Sequence, residues 1–578
     1  MPGEPAIEEI DLEEVREALA RVPSKDHEMW QRLVETHLTL RRLVQERGTT
    51  IARLRRLFGL SSSEKTADVL DKIGRGDMGT DAKADSSRLP EGEKSPADAG
   101  IAGAQRQEKP KRKGHGRDPS SAYPEACPIE VLHETLRPGD RCPACGHGSL
   151  YELSEPARIL RIVGQPPLVG FCWNCQRLRC SGCGAVFTAH APEQAQGPKH
   201  SESAAAMMAY LRFRAGVPHN RLEQLQRHLA TPLPASTQWD VLYERVGAPR
   251  VIYRELLRLG AQGSIVHNDD TYARILAFMG KRRAELLRRA ELPDPERTGL
   301  FTTAVLSLEG GRELALFFTG RKHAGENLAD LLGQRAVELQ PPILMCDALD
   351  RNVPKGHPVV ESNCGSHARR RFVDQAVNFP GECRYLLETY GKVFQLDELC
   401  RTEGLSELER LRRHQRESGP VMQEMKRWME AQLAEKRTEP NSGLGEAISY
   451  MLDRWDKFTL FLRLPGAPLH NNVVERALKM AIRHRNNSLF YRSERGALVG
   501  DIYMTILYTT ELQRENPFDY LTELMRHEKA VTEDPVAWLP WNYRDTLARL
   551  LQDTPRTQDQ PPPPVPPPPL SRAPPAPQ

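Results

Sequence analysis

Residues 263–280 read GSIVHNDDTYARILAFMG, and this stretch decides which fold the chain can adopt. β-Branched and apolar residues surround a polar centre, which predicts a strand with Asp269 inside it. An Asp in such a strand opposes β-propensity and is costly to bury unpaired. The sequence therefore predicts a compensating cation beside Asp269, and a divalent metal satisfies that need.

The next four segments are predicted to be strand, strand, helix and strand. They lie at 298–309, 312–321, 327–335 and 341–350. Gly310-Gly311 between the first two is typical of a tight hairpin turn. Strand, strand, strand, helix, strand is the core of a ribonuclease-H-like sheet, in which the first and fourth strands are neighbours. Asp269 and Asp347 would then meet although 78 residues separate them. The alternative places both in loops that cap helices.

A third carboxylate is expected from a helix beyond an insertion. Residues 374–465 are charged, predicted helical and without strand patterns, and a helix then begins at Asn471 or Asn472. Glu475 is the candidate. The alternative is structural: with Asn472 as N-cap, Glu475 falls at N3 and completes a capping box.

Basic residues follow Glu475 on the same predicted helix. Arg476, Lys479 and Arg483 share one face, whereas a buried stripe comprises Val474, Leu478 and Ile482. Residues 476–495, which include Arg485, carry a net charge of +5. A basic face beside a metal-binding carboxylate suits a phosphodiester substrate.

A second cationic cluster has the sequence HARRRF. Its basic members are His367, Arg369, Arg370 and Arg371. The alternative for this cluster is a solvated turn of helix.

Three Cys-x-x-Cys pairs lie within 42 residues, although two pairs suffice for one tetrahedral zinc. The pairs are Cys142/Cys145, Cys172/Cys175 and Cys180/Cys183. In a metal knuckle the backbone folds back at a Cys-x-x-Cys pair so that amide N–H groups point at the thiolates, and glycine permits that turn. Gly146 and Gly184 follow two of the pairs, whereas Gln176 follows the middle one. We therefore predict one structural zinc with four thiolate ligands, Cys142, Cys145, Cys180 and Cys183. The middle pair is spare or an alternative half-site, and the alternative to any metal is six unligated thiols.

Composition restricts the class of protein. Hydrophobic residues make up 39% of 578 residues, mean hydropathy is −0.55, and no run of 18 apolar residues occurs, which excludes a membrane-spanning helix. The first thirty residues are acidic and lack an export signal, so the eleven cysteines are expected in a reducing cytosol. The net charge of +3 means that affinity for a polyanion must come from local clusters.

The segments outside the central sheet have distinct patterns. Residues 28–58 carry a heptad pattern that predicts self-association, the alternative being an amphipathic helix packed on its own chain. Residues 72–122 predict a linker whose part 101–120 has net charge +4, either a solvated charge run or an arm that binds phosphates. Residues 193–258 predict helices that could form a helix-turn-helix or a simple hairpin. Residues 561–578 hold eleven prolines.

Taken together, these motifs resemble the transposases of the insertion-sequence 66 family nearly end to end. RRLFGLSSSEK resembles the family's N-terminal signature, RLRCSGCGAVFTA its zinc-binding segment and HNDDT its "DET" strand. HARRRF, NNVVERAL, RNNSLF and DPVAWLPWNYRD resemble its later motifs. Three positions depart from the family pattern: Asp270 replaces Glu, Lys479 replaces Arg, and Asn486 stands where Lys is common.

The resemblance implies a DDE transposase in which Asp269, Asp347 and Glu475 bind two Mg²⁺ or Mn²⁺ ions. Asp270 and Asp350 lie close enough to compete with the first two in this assignment. Double-stranded DNA, as the element's terminal repeats and target, would be the partner, together with further copies of the chain and accessory proteins of the same element. A bacterial, cytoplasmic and nucleoid-associated location follows. The rival hypotheses are a non-catalytic domesticated DNA-binding protein and a ribonuclease-H-like nuclease without strand transfer.

The predicted fold class is multidomain α+β. A ribonuclease-H-like α/β catalytic core with a helical insertion follows a coiled-coil segment and a zinc ribbon. The predicted boundaries are 1–75 (helical, self-association), 76–123 (disordered basic linker), 124–192 (zinc-binding), 193–260 (helical, DNA-binding), 261–515 (catalytic, with insertion 374–465), 516–552 (helical) and 553–578 (proline-rich tail).

Overall fold

The structure is a computed structural model that describes residues 132–153, 166–181, 183–192, 195–292 and 294–553. Residues 170–553 belong to one compact unit, and the described residues before 170 belong to a smaller one. The predicted heptad segment, basic linker and proline-rich run lie outside the described residues. In the part of the chain that the structure describes, no helix is both long and apolar enough to cross a membrane.

A five-stranded mixed sheet forms the centre of the larger unit. Two short antiparallel strands precede it, β1 (Arg177–Arg179) and β2 (Val186–Thr188). The sheet comprises β3 (Ile265–Tyr272), β4 (Phe301–Glu309), β5 (Arg312–Gly320), β6 (Ile343–Cys346) and β7 (Val360–Asn363). Its order is β5-β4-β3-β6-β7, with β3 antiparallel to β4 and parallel to β6. This arrangement is consistent with a ribonuclease-H-like domain.

Helices precede, connect and follow these strands. Before the sheet lie α1 (Glu202–Ala209), α2 (His219–His228), α3 (Ala235–Glu244) and α4 (Gly247–Gly260). Between strands lie α5 (Gly280–Arg288) and α6 (Ala324–Leu332). After β7 come α7 (Gly365–Gln375), α8 (Pro380–Thr402), α9 (Glu407–Arg413), α10 (Gly419–Ala434), α11 (Gly443–Leu452) and α12 (Trp455–Phe458). The last helices are α13 (Asn472–Ser488), α14 (Glu494–Leu512), α15 (Pro517–Arg526), α16 (Glu528–Glu533) and α17 (Tyr543–Asp553).

The predicted neighbourhood of the first and fourth strands is confirmed. β3 pairs with β6 from Ile265 opposite Ile343 to His267 opposite Met345. Asp269 lies inside β3 and Asp347 directly follows β6, so the helix-capping alternative is wrong for Asp269. The crossover through α6 returns the chain beside β3, as parallel strands require.

Two details of the strand predictions can be compared with the structure. Gly310 and Gly311 both have positive φ, +54° and +78°, as a two-residue hairpin turn requires. β3 ends at Tyr272, earlier than predicted, because the chain then turns away and Leu276 N donates to Tyr491 O at 2.9 Å. Helix α5, which sequence reasoning missed, follows that turn.

Helix α14 packs along β5, which is an edge strand of the sheet. Three amides of this edge strand donate to side chains of one helix face: Ala315 N to Thr509 Oγ1 (3.1 Å), Phe317 N to Thr505 Oγ1 (3.0 Å) and Thr319 N to Asp501 Oδ2 (2.7 Å). Four residues of helix advance about 6 Å and two residues of strand about 6.6 Å, so the two repeats match. The helix thereby provides acceptors for edge-strand amides that would otherwise be available to pair with another chain.

Replacing Thr505 with Val is expected to lower the free energy of unfolding by about 1–3 kcal/mol, because the buried Phe317 amide loses its acceptor while the side-chain shape is kept. Urea unfolding measures the loss. Thr510→Val is the matched control on the same helix, since the Thr510 hydroxyl donates to Ile506 O within the helix and supports no strand amide. Equal losses in the two variants would contradict the edge-capping role.

The helical insertion predicted at 374–465 is observed as α8–α12. These helices share an apolar core with α7, and this core includes Leu387, Tyr390, Met425, Met429 and Ile448. Helices α2 and α3 form the pair predicted near residues 219–244, but α3 carries Asp240 and Glu244 and neither Lys nor Arg. DNA reading by this pair stays a prediction.

Candidate active site

Asp269 occupies the middle of β3, on the strand face that meets α13. The strand alternates, so His267 and Asp269 point to the same side. His267 is buried, burial lowers its pKa to about 4, and its Nδ1 lies 3.0 Å from Asn471 Oδ1. This neutral histidine therefore donates to Asn471 and links β3 to the segment that enters α13.

Asp347 is held at the end of β6 by the short helical turn that follows. Leu349 N donates to Asp347 Oδ1 at 3.3 Å, and the Asn352 amide donates to the same oxygen at 2.5 Å. Asn352 is in turn fixed because its carbonyl accepts from the Asn268 side chain at 2.7 Å. One polar chain thus connects Asp347 with the residue next to Asp269.

Glu475 is presented by the first turn of α13, which Asn471 anchors. The buried Asn471 side chain donates to Asn268 O at 2.9 Å, and its backbone N–H donates to Cys364 Sγ at 3.1 Å. Glu475 Oε1 then lies 4.0 Å from His367 Nδ1 on α7. Ligand atoms of Cys364, His367 and Glu475 all lie within 4.8 Å of one another. Glu475 therefore sits where α7, α13 and β3 converge.

The capping alternative for Glu475 is not observed. Helix α13 starts at Asn472, so Asn471 is the cap residue, and its side chain makes no capping hydrogen bond. Glu475 is consequently the fourth helical residue and not N3, and the reciprocal bonds of a capping box are missing from this helix start. The carboxylate is left available for another partner.

Asp269, Asp347 and Glu475 lie close enough to interact electrostatically. Burial raises the pKa of Asp269 to about 7, and the charges of Asp347 and Glu475 add to the rise. Burial likewise raises the pKa of Asp347. Among the described residues, no Lys or Arg forms a salt bridge with Asp269 or Asp347. Such carboxylates fit a divalent cation, which would remove the cost of their charges.

Buried polar atoms around the carboxylates support the same fit. Asn352 Oδ1 and His367 Nδ1 are buried and have no hydrogen-bond partner in the described residues. Buried polar groups are rarely left unpaired, and ions or ordered water are common partners. The oxygen-rich set is the kind that Mg²⁺ and Mn²⁺ prefer.

The two competing aspartates occupy different environments. The side chain of Asp270 is 3% exposed and points to the other face of the sheet, where it lies 3.2 Å from His323 Nδ1 and 3.6 Å from Arg351 Nη2. The guanidinium of Arg351 compensates the charge of Asp270, which distinguishes Asp270 from Asp269. Asp350 is exposed on the turn after β6.

A pocket of about 470 Å³ opens beside Asp347. Its lining consists of Asp347, Ala348, Leu349, His367, Arg370, Arg371, Asp374, Tyr450 and Arg454. The guanidinium carbons of Arg371 and Arg454 lie 3.6 Å and 4.9 Å from the centroid of the Tyr450 ring. The basic side of α7 therefore faces a cavity next to a carboxylate, which is an arrangement suited to a phosphate.

The basic residues of α13 divide into two groups. Arg476 and Lys479 are exposed on the helix surface, as predicted, and Arg483 is exposed although its Nη1 donates to Arg214 O at 3.1 Å. Arg485 is half-buried and donates to Thr271 Oγ1 and to Tyr272 O. Val474 and Leu478 are buried and Ile482 is half-buried, as the stripe predicted.

Comparison with known proteins identifies the family. The sequence profile described as "Transposase IS66 family" matches residues 199–498, which include the whole five-stranded sheet and all three carboxylates. The chain belongs to the IS66 transposase family. The predicted family resemblance is therefore confirmed.

Curated relatives of this chain come from Sinorhizobium fredii (strain NBRC 101917 / NGR234). The uncharacterized protein y4hP is 30% identical over 207 residues, covering 33% of this chain and 36% of the relative. The uncharacterized protein y4jD is 27% identical over 206 residues, covering 34% and 39%. The chain thus spans little more than a third of the length of these relatives.

Two cysteine pairs of the IS66 transposase form the knuckles that glycine was predicted to permit. Gly146 (φ +70°) donates from its amide to Cys142 O at 2.8 Å, and Gly184 (φ +75°) donates to Cys180 O at 3.0 Å. Backbone amides, first that of His147, lower the pKa of the Cys145 thiol, which favours a thiolate. Among the described backbone hydrogen bonds, none joins Gln176 N to Cys172 O in the same way, and Gln176 O accepts from Ala189 N beside the β1-β2 hairpin.

Sequence reasoning missed several residues of this site. Asn471 was considered only as a helix start, although its side chain connects α13 to β3. Tyr450 and Arg454 belong to the insertion and line the pocket beside Asp347. An Asn pair before a charged helix was the available signal for Asn471, whereas no sequence pattern pointed to the other two.

Proposed function

We propose that this transposase binds the ends of an insertion sequence and catalyses metal-dependent strand cleavage and strand transfer, with Asp269, Asp347 and Glu475 as the metal ligands. The observation that carries the proposal is the electrostatic interaction of Asp269 with Asp347 and Glu475, carboxylates from β3, the end of β6 and α13 that lie inside the part of the chain that matches the family profile. When bound, two Mg²⁺ ions would activate the attacking oxygen and stabilise the leaving 3′-oxygen.

The protein side chains position the DNA, and the attacking oxygen belongs to water or to the DNA itself. Attack on phosphorus by water, or later by the freed 3′-hydroxyl, needs no protein nucleophile. Arg370 and Arg371 on α7, together with Arg454, would neutralise phosphates next to Asp347. His367 lies within 4.0 Å of Glu475 and holds the α7 side of the site against α13. Arg476 and Lys479 extend the basic surface along α13.

The proposed activity is tested with duplex oligonucleotides that carry the element's ends. The full chain should cut them at the element boundary with Mg²⁺ or Mn²⁺ and should join pre-cut ends to a second duplex. Cutting without joining would favour a ribonuclease-H-like nuclease. Binding without either reaction would favour a domesticated DNA-binding protein, and both outcomes would contradict the proposal.

We further propose that Cys142, Cys145, Cys180 and Cys183 hold one structural zinc. Both glycine-containing knuckles support this choice, and four thiolates leave no open position for catalysis. The site would stabilise the zinc-binding region and not take part in the reaction.

The zinc assignment predicts different effects for the cysteine pairs. Cys180→Ser should remove most of the bound zinc, because a knuckle ligand is lost. The double variant Cys172→Ser with Cys175→Ser should keep about one zinc per chain, since this pair lacks the knuckle turn. Metal content of the purified full chain is the measurement. The reverse pattern would move the site to the middle pair.

A further inference from the structure

An exposed aromatic ring lies at the end of the strand that carries Asp269. Tyr272 is the last residue of β3 and is 55% exposed. It lies three positions after Asp269, a span of about 10 Å along a strand. No hydrogen bond of the Tyr272 hydroxyl occurs within the described residues. The ring is therefore neither a core residue nor a hydrogen-bonding one, and it is exposed at the end of β3.

Arg485 holds this ring in place. Its guanidinium carbon lies 3.8 Å from the centroid of the Tyr272 ring, which is direct stacking. Arg485 Nη1 donates to Thr271 Oγ1 at 2.6 Å and to Tyr272 O at 2.8 Å, so the cation is fixed to the strand end. In the described part of the chain no carboxylate pairs with Arg485. The result is a flat ring with an uncompensated positive charge beneath one face.

The turn after α13 adds apolar surface to the same region. Tyr491 N donates to Arg274 O at 2.8 Å, which ties this turn to the chain just beyond Tyr272. The turn exposes Leu489 (55%) and Phe490 (38%). Leu489 has φ +68°, a conformation that is strained for a branched residue. Strained residues with exposed apolar side chains are typical of binding sites.

We propose that Tyr272 is a stacking platform for one unpaired nucleobase of the DNA end, at the end of the strand that carries Asp269, and that Arg485 is the positioning residue that fixes the platform. The proposal rests on the proposed transposase function. Stacking on an aromatic ring accepts any base, and a cation beneath the ring suits a polyanionic ligand. A base must leave the duplex to stack in this way, which would open the end at the cleavage position.

The test measures binding of the full chain to duplex ends in which single nucleotides on either side of the cleavage position are made abasic. For the parent protein, one abasic position should weaken binding by about 5- to 100-fold, the range that aromatic stacking of one base covers. Tyr272→Ala should weaken binding to the intact end by a similar factor and become insensitive to that abasic position. Tyr272→Phe should behave like the parent, because the hydroxyl has no partner.

Arg485→Lys keeps the charge but loses the planar stack and the paired hydrogen bonds. It should therefore also lose part of the sensitivity to the abasic position, whereas a purely structural role would weaken binding to all ends equally. If binding by the Tyr272→Ala protein is as sensitive to the abasic position as binding by the parent, the platform proposal is wrong, while the proposed transposase function still stands. A parent protein that neither binds nor cuts the ends would overturn both.

Discussion

Replacement of Glu475 by Gln is expected to reduce Mg²⁺-dependent strand cleavage and joining by more than about 100-fold. Gln keeps the size of the side chain but removes the negative charge, and loss of a direct metal ligand should cost at least as much as loss of a supporting residue. The measurement is cutting and joining of the element's own ends, alongside gel-shift binding. Binding of the ends should persist, because the basic residues of α7 and α13 are unchanged.

The structural alternative for Glu475 predicts a different result. A negative charge in the first turn of a helix stabilises it by about 0.3–1 kcal/mol through the helix dipole. Glu494→Gln is the matched control, since Glu494 is exposed in the first turn of α14. Both variants should show the same small change in stability, and Glu475→Gln alone should lose activity. If the Glu475→Gln protein cuts and joins DNA near the parent rate, the carboxylate is not a ligand.

Replacement of Asp269 by Asn is expected to stabilise the metal-free protein above pH 7. The pKa of Asp269 is raised from 3.8 to about 7, chiefly by burial, so the folded state holds this proton more tightly than the unfolded chain. The stability contributed by the protonated group is fully present below about pH 4 and is lost as pH rises through about 7. Asn stays neutral and avoids that loss, which corresponds to at most about 4 kcal/mol at pH 8.

Unfolding by urea at pH 5 and pH 8, with EDTA or with Mg²⁺, measures this effect. Mg²⁺ should stabilise the parent at pH 8 and have little effect on Asp269→Asn. Asp270→Asn is the neighbouring control, and the opposite sign is expected because it breaks contacts with His323 and Arg351. An Asp269→Asn protein that is less stable than the parent at pH 8 in EDTA would contradict the uncompensated-carboxylate interpretation.

These two predictions depend partly on features that the sequence could predict and partly on features that only the tertiary structure shows. The position of Asp269 in a strand beside the strand that precedes Asp347 could be predicted, because strand, strand, strand, helix, strand restricts the topology to few arrangements. The sequence could not predict which of Asp269 and Asp270 faces the candidate site. Adjacent residues of a strand face opposite sides, and only the packing of α6 and the turn at Asp350–Asn352 places His323 and the Arg351 guanidinium beside Asp270.

For Glu475, too, the sequence allowed two roles and only the tertiary structure distinguishes them. Sequence spacing allowed both a metal ligand and a capping-box residue. The choice depends on where α13 starts, and this start is set by Asn471, whose side chain contacts His267 and Asn268 more than 200 positions earlier in the chain. No local pattern encodes a contact of that separation.

The sequence alone determined that the first and fourth strands are neighbours, the hairpin at Gly310-Gly311, the glycine turns after two cysteine pairs and the family, because each follows from residue periodicity, backbone freedom or an ordered set of motifs. Only the tertiary structure decided which carboxylates lack a cation, how α14 satisfies the edge of β5, and that Arg485 lies beneath Tyr272. The physical reason is that local conformation depends on neighbours in the chain, whereas burial and charge compensation depend on side chains brought together from distant segments.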